Sequence, residues 1–129
     1  MDTTDIKHWQ SMSVRDADVM TTWLAAIGFR EHATYRSAED PGVVEHAEWV
    51  WEGGGGIMLG TARPDSPVTA PGRSSAYLVT DDPDGAVERA LAAGATHERA
   101  VVDQAHGGRG GSVRDPEGNH WSFGSYQPG

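Results

Sequence analysis

Residues 8–14, "HWQSMSV", alternate between apolar and polar side chains and predict a strand. Behind them Met20, Leu24 and Ile27 recur at i, i+4 and i+7, which is one face of a helix. Asp16 stands where an N-cap belongs, Asp18 suits the first turn, and Gly28 reads as the C-terminal stop. Three strand-like runs follow, 29–36, 43–51 and 56–61, separated by the turn chemistry of "AEDPG" and "EGGGG". The stretch 62–73, "ARPDSPVTAPGR", has the composition of a linker. Then the pattern starts again. A strand is expected at 74–80. A helix follows, capped by Asp82, with Pro83 at its first position, Ala86, Val87, Ala90 and Leu91 on its apolar face, and Gly94 as its stop. "THERAVV" reads as a strand, "DQAHGGRG" as a glycine-rich loop, and "GSVRD" and "HWSFGSY" as the last two strands.

Both halves therefore read strand–helix–strand–strand–strand. Their helices share a cap by Asp and an ending "LAA" with glycine close behind. An internal duplication of about 65 residues is the main organisational signal, because repeats decide architecture.

Composition narrows the function. A chain of 129 residues suits one domain. It contains no cysteine, which excludes disulfides, thiolate nucleophiles and Cys-based zinc sites. The start "MDTTDIKHWQ" lacks the apolar segment of a secretory signal, and no apolar run approaches a membrane span, so a cytoplasmic setting is expected. The formal net charge of −9 argues against nucleic acid and anionic membrane as partners. Five tryptophans in so short a chain point to flat apolar surfaces, in the core and along a pocket.

Tandem βαβββ modules, with "RDPEGNHWSFGSY" closing the second, resemble the vicinal oxygen chelate superfamily. That group includes glyoxalase I, extradiol dioxygenases and bleomycin-resistance proteins. "VEHAEWVWEGGGGIMLG" is similar to the third and fourth strands of its glyoxalase-like and bleomycin-resistance-like branch, and "DIKHWQSMSVRDADVMTTWLAAIGF" to its opening strand and helix. The resemblance implies an α+β fold in which two modules form a curved sheet around a cavity, and a homodimer. In "DPEG", Asp115 can accept backbone hydrogen bonds, Pro116 fixes φ and Gly118 can take positive φ, which closes a tight hairpin.

Metal-dependent members of the superfamily hold a divalent ion with His, Gln and Glu on the first and last strands of each module. By the resemblance those positions fall on Trp9, Met58, Ser75 and Ser122, none of them a ligand for such an ion. No metal and no cofactor are expected. A slip of one residue in the first strand would instead turn His8 and Gln10 inward, to join His120 in a rearranged site. With the expected register, Trp9, Ser11, Ser13, Gly56, Met58, Gly60, Ser75, Tyr77, His120, Ser122 and Gly124 face the cavity, while Ile57, Leu59, Trp121 and Phe123 face the helix-packed core. Trp49 and Trp51 share one face of the third strand, as a stacking wall or as core. The ligand-binding set is thus Trp9, Ser11, Trp49, Trp51, Met58, Ser75, Tyr77, His120 and Ser122, with His106 on a possible loop lid.

Two functions fit these residues. The first is metal-free binding or sequestration of a small, partly aromatic or cationic molecule, as in antibiotic-resistance members. The alternative is a divergent lyase, isomerase or dioxygenase, or a metal-free acid–base catalyst using His46, with Glu45 and Glu48 nearby, or His120.

Overall fold

Helix α1 (Ala17–Ile27) forms where its cap predicts. The Asp16 side chain accepts from the Val19 N–H at 3.1 Å, and Gly28, at φ 115°, closes the last turn in the left-handed conformation. Its Met20, Trp23, Leu24 and Ile27 are all buried, each contributing about 1.5–3 kcal/mol by its removal from water. Around it run β1 (Trp9–Val14), β2 (Phe29–Arg36), β3 (Val44–Trp51) and β4 (Gly56–Thr61), in the sheet order β1-β4-β3-β2. Only β1 and β4 are parallel.

The second unit repeats this plan. Strands β5 (Ser75–Val79), β6 (Thr96–Asp103), β7 (Arg109–Arg114) and β8 (His120–Gly124) take the order β5-β8-β7-β6, with β5 and β8 parallel. Helix α2 (Pro83–Ala92) is capped by Asp82, whose side chain accepts from the Gly85 N–H. The chain divides into these two units, Met1–Pro71 and Gly72–Gly129. The computed structural model describes residues 3–65 and 70–129; 66–69, inside the expected linker, lie outside the described residues. The α+β architecture of two tandem βαβββ modules is as the sequence predicts. The glycine-rich loop yields Arg109 and Gly110 to β7, because both residues join the ladder with β6, and β8 ends at Gly124, two residues short of the expected strand. No helix among the described residues is long and apolar enough to cross a membrane.

The "DPEGN" turn locks β8 in place. Asp115 and Asn119 are almost fully buried. One carboxylate oxygen of Asp115 accepts from the N–H groups of Glu117 and Asn119 at 2.8 and 3.0 Å. The other accepts from the Asn119 side-chain amide and the Trp121 indole, both at 2.8 Å. The Asn119 side-chain oxygen in turn accepts from the Ser74 N–H at 3.0 Å, at the entry to β5. Gly118 has φ 97°, a conformation that a side chain would strain. The turn thus aligns β8 beside β5 and fixes which side chains of β8 face which way.

Candidate functional site

Register decides the two faces of each sheet. In the first unit Trp9 pairs with Gly56, Ser11 with Met58 and Ser13 with Gly60. Gln10 and Met12 pair with the buried Ile57 and Leu59. In the second unit Ser75 pairs with His120 and Tyr77 with Ser122, while Trp121 and Phe123 are fully buried on the other face. The slip that would turn Gln10 inward is absent. His8 lies ahead of β1, exposed, beside Glu52 and Gly54.

The duplication holds at the level of single residues. Asp16 and Asp82 cap equivalent helices, so Trp9 and Ser75 occupy equivalent positions. By the same pairing Met58 is equivalent to Ser122. The four positions singled out for a metal are therefore two repeated pairs, Trp9 with Ser75 and Met58 with Ser122. Their donors are an indole, a thioether and two hydroxyls, which do not fit a hard or borderline divalent ion. Among the described residues no three His, Asp or Glu side chains are grouped to hold one.

A cavity of about 230 Å³ opens on the face of β8 that carries Ser122. Tyr77, Arg99, Gln104, His106, Ser122 and Tyr126 supply most of its polar and aromatic wall. The Tyr77 hydroxyl donates to the Tyr126 carbonyl at 2.7 Å. Burial, ahead of other influences, pushes the Tyr77 phenol above its ordinary value and keeps it a neutral donor. Gly124 is needed beneath it, since a Cβ there would come within 2.3 Å of the Tyr77 oxygen. His106 packs edge-on against Tyr126, with ring centres 4.7 Å apart, at the rim where a lid was expected. Arg109 is held by Asp84 at 2.8 and 3.0 Å and by Asp103 at 3.4 Å. That hydrogen bonding is the main cause holding the Asp84 carboxyl below its ordinary range. Arg99 forms no ion pair among the described residues, and the cavity lining contains no carboxylate.

Beside this cavity the sheet carries a linked set of polar groups. A β-bulge makes Glu98 the extra residue of β6, between His97 and Arg99, and re-aims its side chain. Its carboxylate accepts from Ser112 Oγ at 2.8 Å, lies 2.5 Å from His120 Nδ1 and pairs with Arg114. The second ring nitrogen, His120 Nε2, lies 2.8 Å from Ser122 Oγ. Partial burial works to raise the Glu98 carboxyl, but the bonds from Ser112, His120 and Arg114 hold it below its ordinary 4.5. A depressed carboxyl stabilises the fold above its unfolded value and loses that contribution as pH falls through the folded one. The stability advantage of the wild type over Glu98→Gln is therefore expected at neutral pH and should shrink below about pH 4.5, as checked by urea unfolding across a pH series.

The first unit has its counterpart. His32 is the extra residue of the equivalent bulge in β2, and Glu48 lies 3.8 Å from His32 and 2.8 Å from His46. Ser11, Ser13, His46 and Met58 line a cavity of about 180 Å³ there. Trp9 covers Gly56, where a Cβ would meet its ring at 2.3 Å. Trp49 and Trp51 sit on the opposite face: Trp49 pairs with Ile57 and is 8% exposed, and the Trp51 ring packs 5.1 Å from Phe29 and against Gly28. Of the residues expected to bind a ligand, Tyr77 and Ser122 line this cavity with His106, and His120 lies beside it, bonded to Ser122. Sequence reasoning missed Arg99, Gln104, Tyr126 and Glu98. The adjacent charges in "HER", which break strand alternation, were the available signal for the bulge.

The profile of a glyoxalase-like domain matches residues 11–123. Among solved structures, TioX from Micromonospora sp. ML1 is 27% identical, with 93% of this chain and 98% of that one covered at a TM-score of 0.73. A glyoxalase-related enzyme from Fulvimarina pelagi is 18% identical, with 93% and 87% covered and a TM-score of 0.67. A glyoxalase/bleomycin resistance protein from Catenulispora acidiphila is also 18% identical, with 95% and 100% covered and a TM-score of 0.65. An uncharacterized protein of Mycobacterium bovis is 44% identical over 71 residues, 55% of this chain and 43% of its own length. The match to one from Mycobacterium tuberculosis covers 38% of that protein. The chain thus spans less than half the length of the curated relatives it matches.

Proposed function

The chain belongs to the glyoxalase-like domain family, and on that premise we propose that it binds, without a metal, a small molecule with a flat aromatic part in the cavity of the second unit. The observation that carries this reading is the lining. Tyr77, His106 and Tyr126 offer aromatic surface, and Arg99 adds a guanidinium that forms no ion pair among the described residues. Aromatic side chains give a planar ligand its contact area, and a few polar groups orient it. The overall charge of −9 favours neutral or cationic ligands at long range, but the local wall favours a neutral or anionic group at contact. Sequestration, as the name of the bleomycin-resistance neighbours suggests, needs no chemistry beyond this. A homodimer is proposed on the family resemblance alone.

Calorimetric titration with small aromatic carboxylates, salicylate and benzoate among them, and with aromatic amines of matched size tests the proposal. The carboxylates are expected to bind more tightly than the amines. Arg99→Ala should weaken them about tenfold, or about 1.4 kcal/mol, for loss of a charge-assisted contact. Preference for the amines, or affinity unchanged in Arg99→Ala, would overturn it.

A further inference from the structure

We propose that Ser122, His120 and Glu98 form a nucleophilic triad, and that the second unit transfers acyl groups from small aryl esters. The inference goes beyond ligand binding: it uses the same cavity but adds the linked side chains of Ser122, His120 and Glu98. Glu98 is an acceptor, so His120 carries its proton on Nδ1, 2.5 Å away. That leaves Nε2 as the acceptor for the Ser122 hydroxyl at 2.8 Å. Nucleophile, base and orienting carboxylate therefore follow one another in hydrogen-bond contact, the arrangement that activates a serine. Each part is fixed from outside the set. Ser112 and Arg114 hold Glu98, and the buried "DPEGN" turn sets the start of β8 and hence the facing of His120 and Ser122. Ser122 also lines the cavity, so an ester seated against Tyr77 and Tyr126 meets its oxygen. Arg99, on the same wall, supplies positive charge for a developing oxyanion.

The steps balance. Ser122 Oγ bonds to the acyl carbon as its proton passes to His120 Nε2. The bond from that carbon to the leaving oxygen then breaks, and the leaving phenolate takes the proton. Water, deprotonated by the same nitrogen, adds to the acyl-serine; the carbon–Oγ bond then breaks, Nε2 returns that proton to Oγ, and the acid leaves with Ser122 restored. Glu98 holds the tautomer and offsets the charge of the imidazolium throughout.

The test uses 4-nitrophenyl acetate with the whole chain. A burst of nitrophenolate is expected, equal in amount to the protein, with one acetyl group found by peptide mass mapping on Ser122. Ser122→Ala should lose burst and adduct together. His120→Asn should slow acylation about a hundredfold or more, the usual contribution of a general base. Circular dichroism melts identify which variants are folded, and Glu98→Gln, expected to slow acylation and alter its pH profile, serves as the second variant. No adduct in the wild type, an acetyl group carried elsewhere, or a burst that survives Ser122→Ala would overturn the proposal. None of these outcomes bears on the carboxylate titration, so the two proposals fail separately.

Discussion

Asp115→Ala should lower unfolding stability by about 3–5 kcal/mol, a large share of the 5–15 kcal/mol typical of a folded domain. The carboxylate accepts four hydrogen bonds, two from backbone N–H groups and two from the side chains of Asn119 and Trp121. Removing it leaves those donors in a pocket where Asn119 is 1% and Trp121 0% exposed. Each buried donor left without an acceptor costs about 1–3 kcal/mol. Asp115→Asn should be milder, at about 2 kcal/mol: its oxygen still serves the backbone, but its amide then faces two donors. Urea unfolding, with the slope held constant between variants, gives both values. A loss below about 1 kcal/mol for Asp115→Ala would show that the carboxylate does not organise the turn.

Trp121→Ala should cost about 3–5 kcal/mol by the same measurement. The ring is fully buried on the α2-facing side of the second sheet, and its truncation opens a cavity that a packed core closes only in part. Trp121→Phe separates the two contributions. It keeps part of the apolar contact and removes the indole N–H bond to Asp115, so a smaller loss of about 1–2 kcal/mol is expected. Because the indole and the carboxylate are partners, Asp115→Ala and Trp121→Ala together should cost less than the sum of the two single changes.

The parts of the fold set by local physics could be read from the sequence. Asp16, Gly28 and Asp82 act through their own helix ends, and Met20, Leu24 and Ile27 announce a face by spacing alone. The facing expected for β1, β4, β5 and β8 rested on positions that the family resemblance supplied, extended along each strand by alternation, and the burial of Ile57, Leu59, Trp121 and Phe123 agrees with it. The site depended on contacts that alternation does not contain. Glu98 reaches His120 only through a bulge, which shifts one side chain out of the period-two pattern. Tyr126 comes to the cavity past the end of β8, bonded to Tyr77 49 residues before it, and Gln104 from the loop after β6, bonded across that loop to Gly110. Trp49 and Trp51 were ambiguous for a plain reason. Two large aromatics on one face fill a core or a pocket equally well, and only the packing of β3 with Ile57 and Gly28 assigns them to the helix side.

The claim that the second unit's cavity is the binding site is tested most directly by amide NMR spectra of the whole chain, titrated with the tightest-binding aromatic carboxylate. Saturable shifts centred on Tyr77, Arg99, Ser122 and Tyr126 are expected, and in Arg99→Ala they should need about tenfold more ligand to saturate. Shifts centred on Ser11, His46 and Met58 of the first unit, or no saturable shifts at all, would contradict it.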